Sequence, residues 1–261
     1  GEEKSKVMSG QMKVEGRWID AASVKRDAYN IDAYGHLLAM REKAAENKDT
    51  RYLEALRAFE KLRTDYRVSP YFLKAIPEAQ EYLKKFEVQL ADMIKEAPIL
   101  LKNRTDGLKQ IPANEAPAAR RAIEDEDRAY RDALDRQLKA KIRWHDISKF
   151  DAKGLQDIAA AIVKERTELA ALDLAALKAE SDSLIAVIRA IADKNVAEAG
   201  NALDRAARIP NQANRALIAA LRKEVDELKK NASKEQKAAA APARAAAGRA
   251  SRNRRRSTRR R

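Results

Sequence analysis

Tyr82-Leu-Lys-Lys-Phe86-Glu-Val-Gln-Leu90-Ala-Asp-Met93-Ile-Lys-Glu-Ala97 sets Tyr82, Phe86, Leu90, Met93 and Ala97 at spacings of four, four, three and four. That is the period of one face of an α-helix, whereas a half-buried strand would alternate every second residue. The same period recurs on both sides. Upstream, Leu53, Leu56, Phe59 and Leu62 line one face; downstream, Leu155, Ile158, Ile162, Leu169 and Leu172 do so again. Composition agrees: 36% of the 261 residues are charged, 5% are aromatic, and there are only eight Gly and seven Pro. Long helices have this profile, and strand-rich sandwiches do not. The expected fold is all-α, with elongated antiparallel helical hairpins or a bundle, a small N-terminal β-hairpin and a disordered basic C-terminal tail.

Local signals place the elements. Val7 to Ile19 is the one strand-like stretch, with Val14 and Trp18 flanking a Glu15-Gly16 turn. Asp20 reads as the N-cap of a helix from about Ala21 to Glu46, and Asn47-Lys48-Asp49 breaks it. Ser69-Pro70 is a cap followed by a proline at the first helical position. Pro77 predicts a kink and Pro98 another, and Gly107 and Pro112 end the region. Asn114 should cap a helix whose face is Ile123, Tyr130, Leu134, Leu138 and Ile142. Trp144 to Phe150 reads as a turn and Asp151 as the cap of the next long helix. A shift at Ser181 to Ser183 leads to Leu184, Ile188 and Ile191; a shorter helix then ends at Pro210. The last helix, about Gln212 to Lys230, should bury Leu217, Leu221, Val225 and Leu228. The organisation is therefore an N-terminal strand-like segment (1–20), a helical hairpin region (21–110), a long-helix bundle region (111–232) and a disordered tail (233–261). Ten of the thirteen aromatic residues lie at or before Phe86, so the second half must pack through alanine and aliphatic side chains.

Charge is distributed unevenly. The net charge is +14, and ten of those charges, Lys237 and nine arginines, follow the last acidic residue, Glu235. The candidate anion- or phosphate-binding residues are Arg244, Arg249, Arg252, Arg254, Arg255, Arg256, Arg259, Arg260 and Arg261. A segment of alanine and arginine buries too little apolar surface to offset its ordering entropy. It attracts polyanions by counterion release, and with no aromatic residue it has nothing on which to stack bases. It lacks the apolar face of a membrane-surface helix, although an anionic lipid surface could still bind it at about 1 kcal/mol per basic residue. The expected partners are a polyanion through the tail, and a protein or a second copy through the helical body.

Reactive chemistry is sparse. With no cysteine there is no disulfide or thiolate metal site. His145 and Asp146 form the single pairing with acid–base or metal potential, although a lone histidine beside a tryptophan more often packs. Glu124-Asp125-Glu126-Asp127 points in several directions around a helix, and attraction to the positive helix end accounts for it more simply. Trp18 reads as an anchor for local packing rather than a contact residue. No phosphate loop, helical His-Glu-x-x-His or activated serine is present, so no catalytic, cofactor or metal residue is predicted and an enzyme is not expected. No apolar run reaches the roughly 18–20 residues that span a bilayer. The chain opens on Gly1, and its true start is expected upstream.

Two resemblances bear on function. Asp49-Thr-Arg-Tyr-Leu-Glu-Ala55-Leu56-Arg-Ala58-Phe59-Glu-Lys-Leu62, followed by Ser69-Pro-Tyr-Phe-Leu73, resembles a tetratricopeptide unit. Asn195-Val-Ala-Glu-Ala-Gly-Asn-Ala-Leu-Asp-Arg-Ala206 is a weaker likeness. Without a repeat of about 34 residues along the chain, an ordinary helical hairpin is the favoured reading. More broadly, residues 14–169 resemble the uncharacterised bacterial PTPDL family. The resemblance rests on Lys13-Val-Glu-Gly-Arg-Trp-Ile19, Tyr29-Asn-Ile-Asp-Ala33, Ala55-Leu-Arg-Ala-Phe59 and Arg143-Trp-His145. It implies export to the cell envelope or periplasm and no known reaction. The function expected is thus a non-enzymatic helical scaffold or envelope-associated interaction protein with an anion-binding tail. The alternative is a cytoplasmic, non-specific nucleic-acid-associated protein.

Overall fold

The structure is a computed structural model describing residues 2–208 and 214–257, with side chains as far as Glu235 and at Ala238. Among the described residues there are ten helices and one two-stranded antiparallel sheet. Two compact units divide the chain. One contains Tyr29–Leu177; the other contains Gly1–Ala28 together with Lys178–Arg261.

In the central unit, α3 (Ala28–Ala45), α4 (Arg51–Asp65), α5 (Pro70–Gln110) and α7 (Ala152–Ala170) supply one apolar core, and α6 (Ala116–Lys139) contributes no buried residue to it. Leu53, Leu56, Phe59 and Leu62 of α4 are buried, as are Phe72, Ile76, Leu83, Phe86 and Leu90 of α5 and Leu155, Ile158 and Ile162 of α7. Phe59 stacks on Phe72 with ring centroids 5.8 Å apart. Each such side chain contributes about 1.5–3 kcal/mol of burial. Ser69 caps α5 as expected: its Oγ accepts the Tyr71 N–H at 3.3 Å and donates to Asn30 Oδ1 at 3.0 Å.

Several boundaries differ from the expectations. Helix α5 runs unbroken through Pro77 and Pro98, which are both exposed. Each proline removes one backbone donor, while the buried Ile76, Ala79, Leu90 and Ala97 hold α5 to the core. The expected single helix 21–46 is split at Asp27, which closes α2 (Ala21–Arg26) with its backbone N–H donating to Ser23 O. Asn114 is not a cap; α6 starts after Glu115, with no side-chain cap bond. The break before the next helix lies at Asp173, not at Ser181 to Ser183, because Asp173 Oδ1 accepts the N–H groups of Ala175 and Ala176 at 3.0 Å and opens α8 (Leu174–Ala192).

The other unit begins with α1 (Glu2–Met8), so the hairpin is shorter than the stretch from Val7. Strands β1 (Met12–Val14) and β2 (Arg17–Ile19) pair in the register Met12↔Ile19, Lys13↔Trp18 and Val14↔Arg17. The turn takes Glu15 to φ 49° and Gly16 to φ 79°, the left-handed pair that a tight hairpin requires. Asp20 caps α2, accepting from the Ala22 and Ser23 N–H groups at 2.9 Å. Asn195 caps α9 (Val196–Ala207) through the Glu198 N–H at 3.1 Å. That helix packs against α10 (Arg215–Ser257), where Leu221 and Val225 are buried and Leu217 and Leu228 half-buried. The expected stop at Pro210 lies outside the described residues. The backbone of α10 continues past the expected end near Lys230, in keeping with the high helix propensity of alanine.

One ion cluster sits inside the central unit. Glu165 of α7 is fully buried, and its carboxylate takes Arg63 Nη1 at 2.6 and 2.7 Å and a close contact from Arg143. Arg63 Nη2 also donates to Glu168 at 2.8 Å. Hydrogen bonding from Arg63, with the charges of both arginines, holds the Glu168 carboxyl below the usual range despite partial burial. A depressed carboxyl stabilises the fold above its unfolded-state value, and that contribution disappears as pH falls through the folded value. Stability should therefore decline as the medium is acidified below about pH 4. Glu165→Ala should cost about 3 kcal/mol in urea unfolding at neutral pH, and Glu168→Ala distinctly less. Equal losses would refute the central place given to Glu165.

Candidate functional site

The segment between α6 and α7 gathers one cluster of polar contacts in the central unit. Arg57 reaches across from α4, its Nε donating to the Trp144 carbonyl at 2.6 Å and its Nη2 to Asp146 Oδ1 at 2.7 Å. Gln137 of α6 donates to Asp146 Oδ2 at 2.7 Å and accepts the Asp146 N–H at 2.7 Å. Burial works to raise the Asp146 carboxyl, but the hydrogen bonds from Arg57 and Gln137 outweigh it and hold the group below its ordinary range. His145 is buried, and its Nδ1 lies 3.0 Å from the Asp146 carbonyl oxygen. The Asp146 carboxylate is therefore engaged by Arg57 and Gln137, and the hydrogen bond made by the imidazole is to a backbone oxygen. The pairing weighed in the sequence is a structural clamp.

Five residues beyond Asp146, Asp151 does two jobs. Oδ1 accepts the Gly154 N–H at 3.0 Å, capping α7, and Oδ2 accepts the Tyr130 hydroxyl at 3.1 Å. Burial, followed by the adjacent Asp151 charge, pushes the Tyr130 phenol above its ordinary value, so it stays a protonated donor. Beside it, Arg104 lies 4.4 Å from the centre of the Phe150 ring and donates to Asp127 at 2.9 Å and Glu126 at 3.2 Å. The acidic run of α6 thus serves in part as a cross-helix partner for Arg104. Helix-end attraction does not explain it, since that field fades within the first turn and Glu126 lies well inside α6.

These groups border two open cavities of about 310 and 480 Å³, which share Asp127, Tyr130, Ser148 and Phe150. A larger groove of about 610 Å³ runs between α5 and α7, and the ion pair of Arg166 with Glu87 lies among its lining residues. Aliphatic side chains and ion-paired ends line it, the chemistry of a surface furrow. Among the described residues, no group of three His, Asp or Glu side chains could hold a metal ion, and no helix is long and apolar enough to cross a membrane.

The side chains of Arg244, Arg249, Arg252, Arg254, Arg255 and Arg256 lie outside the described residues, and Arg259, Arg260 and Arg261 lie beyond Ser257 altogether. Of the segment 233–261, read from the sequence as a disordered tail, residues 233–257 are assigned to the backbone of α10. Sequence reasoning missed Arg57 and Arg104, because partners 89 and 23 residues away leave no local signal. Comparison with protein families, with curated proteins and with solved structures finds no match to this chain.

Gly154 is the tightest point of the clamp. A Cβ there would lie 2.7 Å from Asp151 Oδ2 and 3.1 Å from the Tyr130 hydroxyl. Gly154→Ala should displace the Asp151 carboxylate and cost about 1–2 kcal/mol, the value of a cap and a charged hydrogen bond. Placed in a Tyr130→Phe background, the same change should cost less, as a double-mutant cycle by chemical denaturation will report.

Proposed function

We propose that this chain is a non-enzymatic helical scaffold whose arginine-rich C-terminal segment attaches it to polyanionic surfaces. The observation that carries the reading is the segregation of charge. The final 25 residues hold ten cations and no carboxylate, leaving +4 on the 236 residues before them. Within the body, many charged side chains satisfy one another: Arg41 with Glu78 at 2.6 Å, Arg63 with Glu165 at 2.6 Å, Arg104 with Asp127 at 2.9 Å and Arg189 with Asp27 at 2.6 Å. The tail has no such internal counterions in its own sequence. A row of guanidinium groups of this kind binds phosphate or carboxylate polymers by releasing condensed counterions, without reading bases.

The packed α4–α5 hairpin and the clamp at Trp144–Asp151 support a holding role for the body rather than a turnover role. Tyr130 is kept protonated, Asp146 is tied to Arg57, and Glu126 and Asp127 of the acidic run are engaged by Arg104. The resemblance over residues 14–169 supports placing the scaffold at the cell envelope.

Truncation after Gln236 should abolish retention on heparin while leaving the unfolding midpoint of the body unchanged. For a short DNA duplex, affinity should fall with salt at a log–log slope no steeper than about −9 if all ten cations engage. Undiminished heparin affinity in the truncated chain would remove the tail from the mechanism.

A further inference from the structure

The unit that carries the C-terminal segment also contains the N-terminal hairpin, and its exposed apolar side chains are concentrated at one place. Among the described residues of this unit, the large apolar groups standing in solvent are Val7, Met8 and Met12, which are 61, 80 and 41% exposed. All three lie within six residues of sequence. The turn joining them is fixed: Gly10 takes φ 77°, the Gly10 and Gln11 N–H groups donate to Val7 O and Lys6 O at 3.0 Å, and a Cβ on Gly10 would lie 3.2 Å from Ala21 Cβ. Val7 and Met8 are thus held outward by a defined backbone.

Basic and aromatic groups flank them. Trp18 is half-buried, with Lys6 Nζ 5.6 Å and Lys13 Nζ 5.9 Å from its ring centre. Each lysine pairs with an exposed glutamate, Lys6 with Glu2 at 2.6 Å and Lys13 with Glu3 at 3.0 Å, and exposed pairs of this kind exchange readily for other anions. Exposed aliphatic groups beside an amphipathic tryptophan and snorkelling lysines match the chemistry of a membrane–water interface.

We propose that the segment Val7–Met12 inserts into an anionic lipid surface, with Trp18, Lys6 and Lys13 at headgroup depth. The inference rests on the polyanion reading of the tail and names its surface as a bilayer. The two parts complement each other. Three short apolar side chains give a weak, reversible anchor alone, and a polybasic segment gives a diffuse one; stable attachment takes both. Nucleic acid would reward the arginines but has no use for exposed methionines.

The test uses the full chain and vesicles of phosphatidylcholine with phosphatidylglycerol, some made with brominated acyl chains. Brominated lipid should quench Trp18 emission, and Trp18→Phe should remove that response because Trp144 is buried. Met8→Ser with Met12→Ser should weaken vesicle partitioning on the order of tenfold and leave heparin retention unchanged. Vesicle binding without quenching, unaffected by the serine pair yet lost on truncation after Gln236, would overturn the insertion and keep the polyanion reading. Binding to heparin or duplex DNA but not to vesicles would overturn it in favour of nucleic acid. Failure to bind vesicles, heparin and DNA would sink both.

Discussion

A carboxylate with no solvent exposure holds the central unit in register. Taking Glu165 out of water costs several kcal/mol, which only well-placed cations can offset. Arg63 comes from α4 and Arg143 from the segment before α7, so one buried charge ties three parts of the chain. Apolar contacts alone would let α7 slide by a turn against α5 at modest cost, because Leu155, Ile158 and Ile162 repeat at helical spacing. Sliding Glu165 by a turn would strand a charge. The cluster therefore contributes less to total stability than to the choice among packings of similar apolar area.

Helix α6 is held by a different device. None of its residues is fully buried, although it has 24 residues and a clear apolar stripe. Ile123, Tyr130 and Leu134 are half-buried, while Leu138 and Ile142 stand exposed. What locates the helix is polar: Arg104 to Asp127, Tyr130 to Asp151, and Gln137 to Asp146. Such bonds are directional and short-ranged, so they fix orientation where burial is too thin to do so. Asp151 couples this fastening to the start of α7, because one carboxylate serves both the cap and the tyrosine.

Legibility in the sequence followed range. Caps that act within a few residues, Asp20, Ser69 and Asp151, were readable because their chemistry is local. The stripes of α4, α5 and α7 were readable because helical period survives in one dimension. Pro77 and Pro98 both lie inside the single helix α5, whose continuity is supported by core contacts with α4 and α7 that no local pattern displays. The clamp was half legible. Trp144–Phe150 read as a turn, but Arg57 and Arg63 sit 89 and 102 residues from their partners and carry no local mark. The basic tail stands out in composition alone. The exposure of Val7, Met8 and Met12 does not, because a strand-like pattern implied partial burial and the helix α1 was not foreseen.

Body and tail also answer differently to ionic strength. Salt screens charges that water surrounds over about 8 Å at physiological strength, and it screens buried pairs far less. The Glu165 cluster lies on the protected side of that divide, so salt should barely loosen the central unit. The C-terminal cations have no carboxylate neighbours in sequence, and the polyanion attachment proposed for them would be driven by release of the very ions that added salt supplies. Attachment can therefore weaken by orders of magnitude across a salt range in which the fold is unaltered. An apolar contribution from the Val7–Met12 segment would leave a residual affinity that salt does not erase, since burial of methionine side chains is indifferent to screening. The floor of the salt curve, rather than its slope, separates a lipid surface from a nucleic acid.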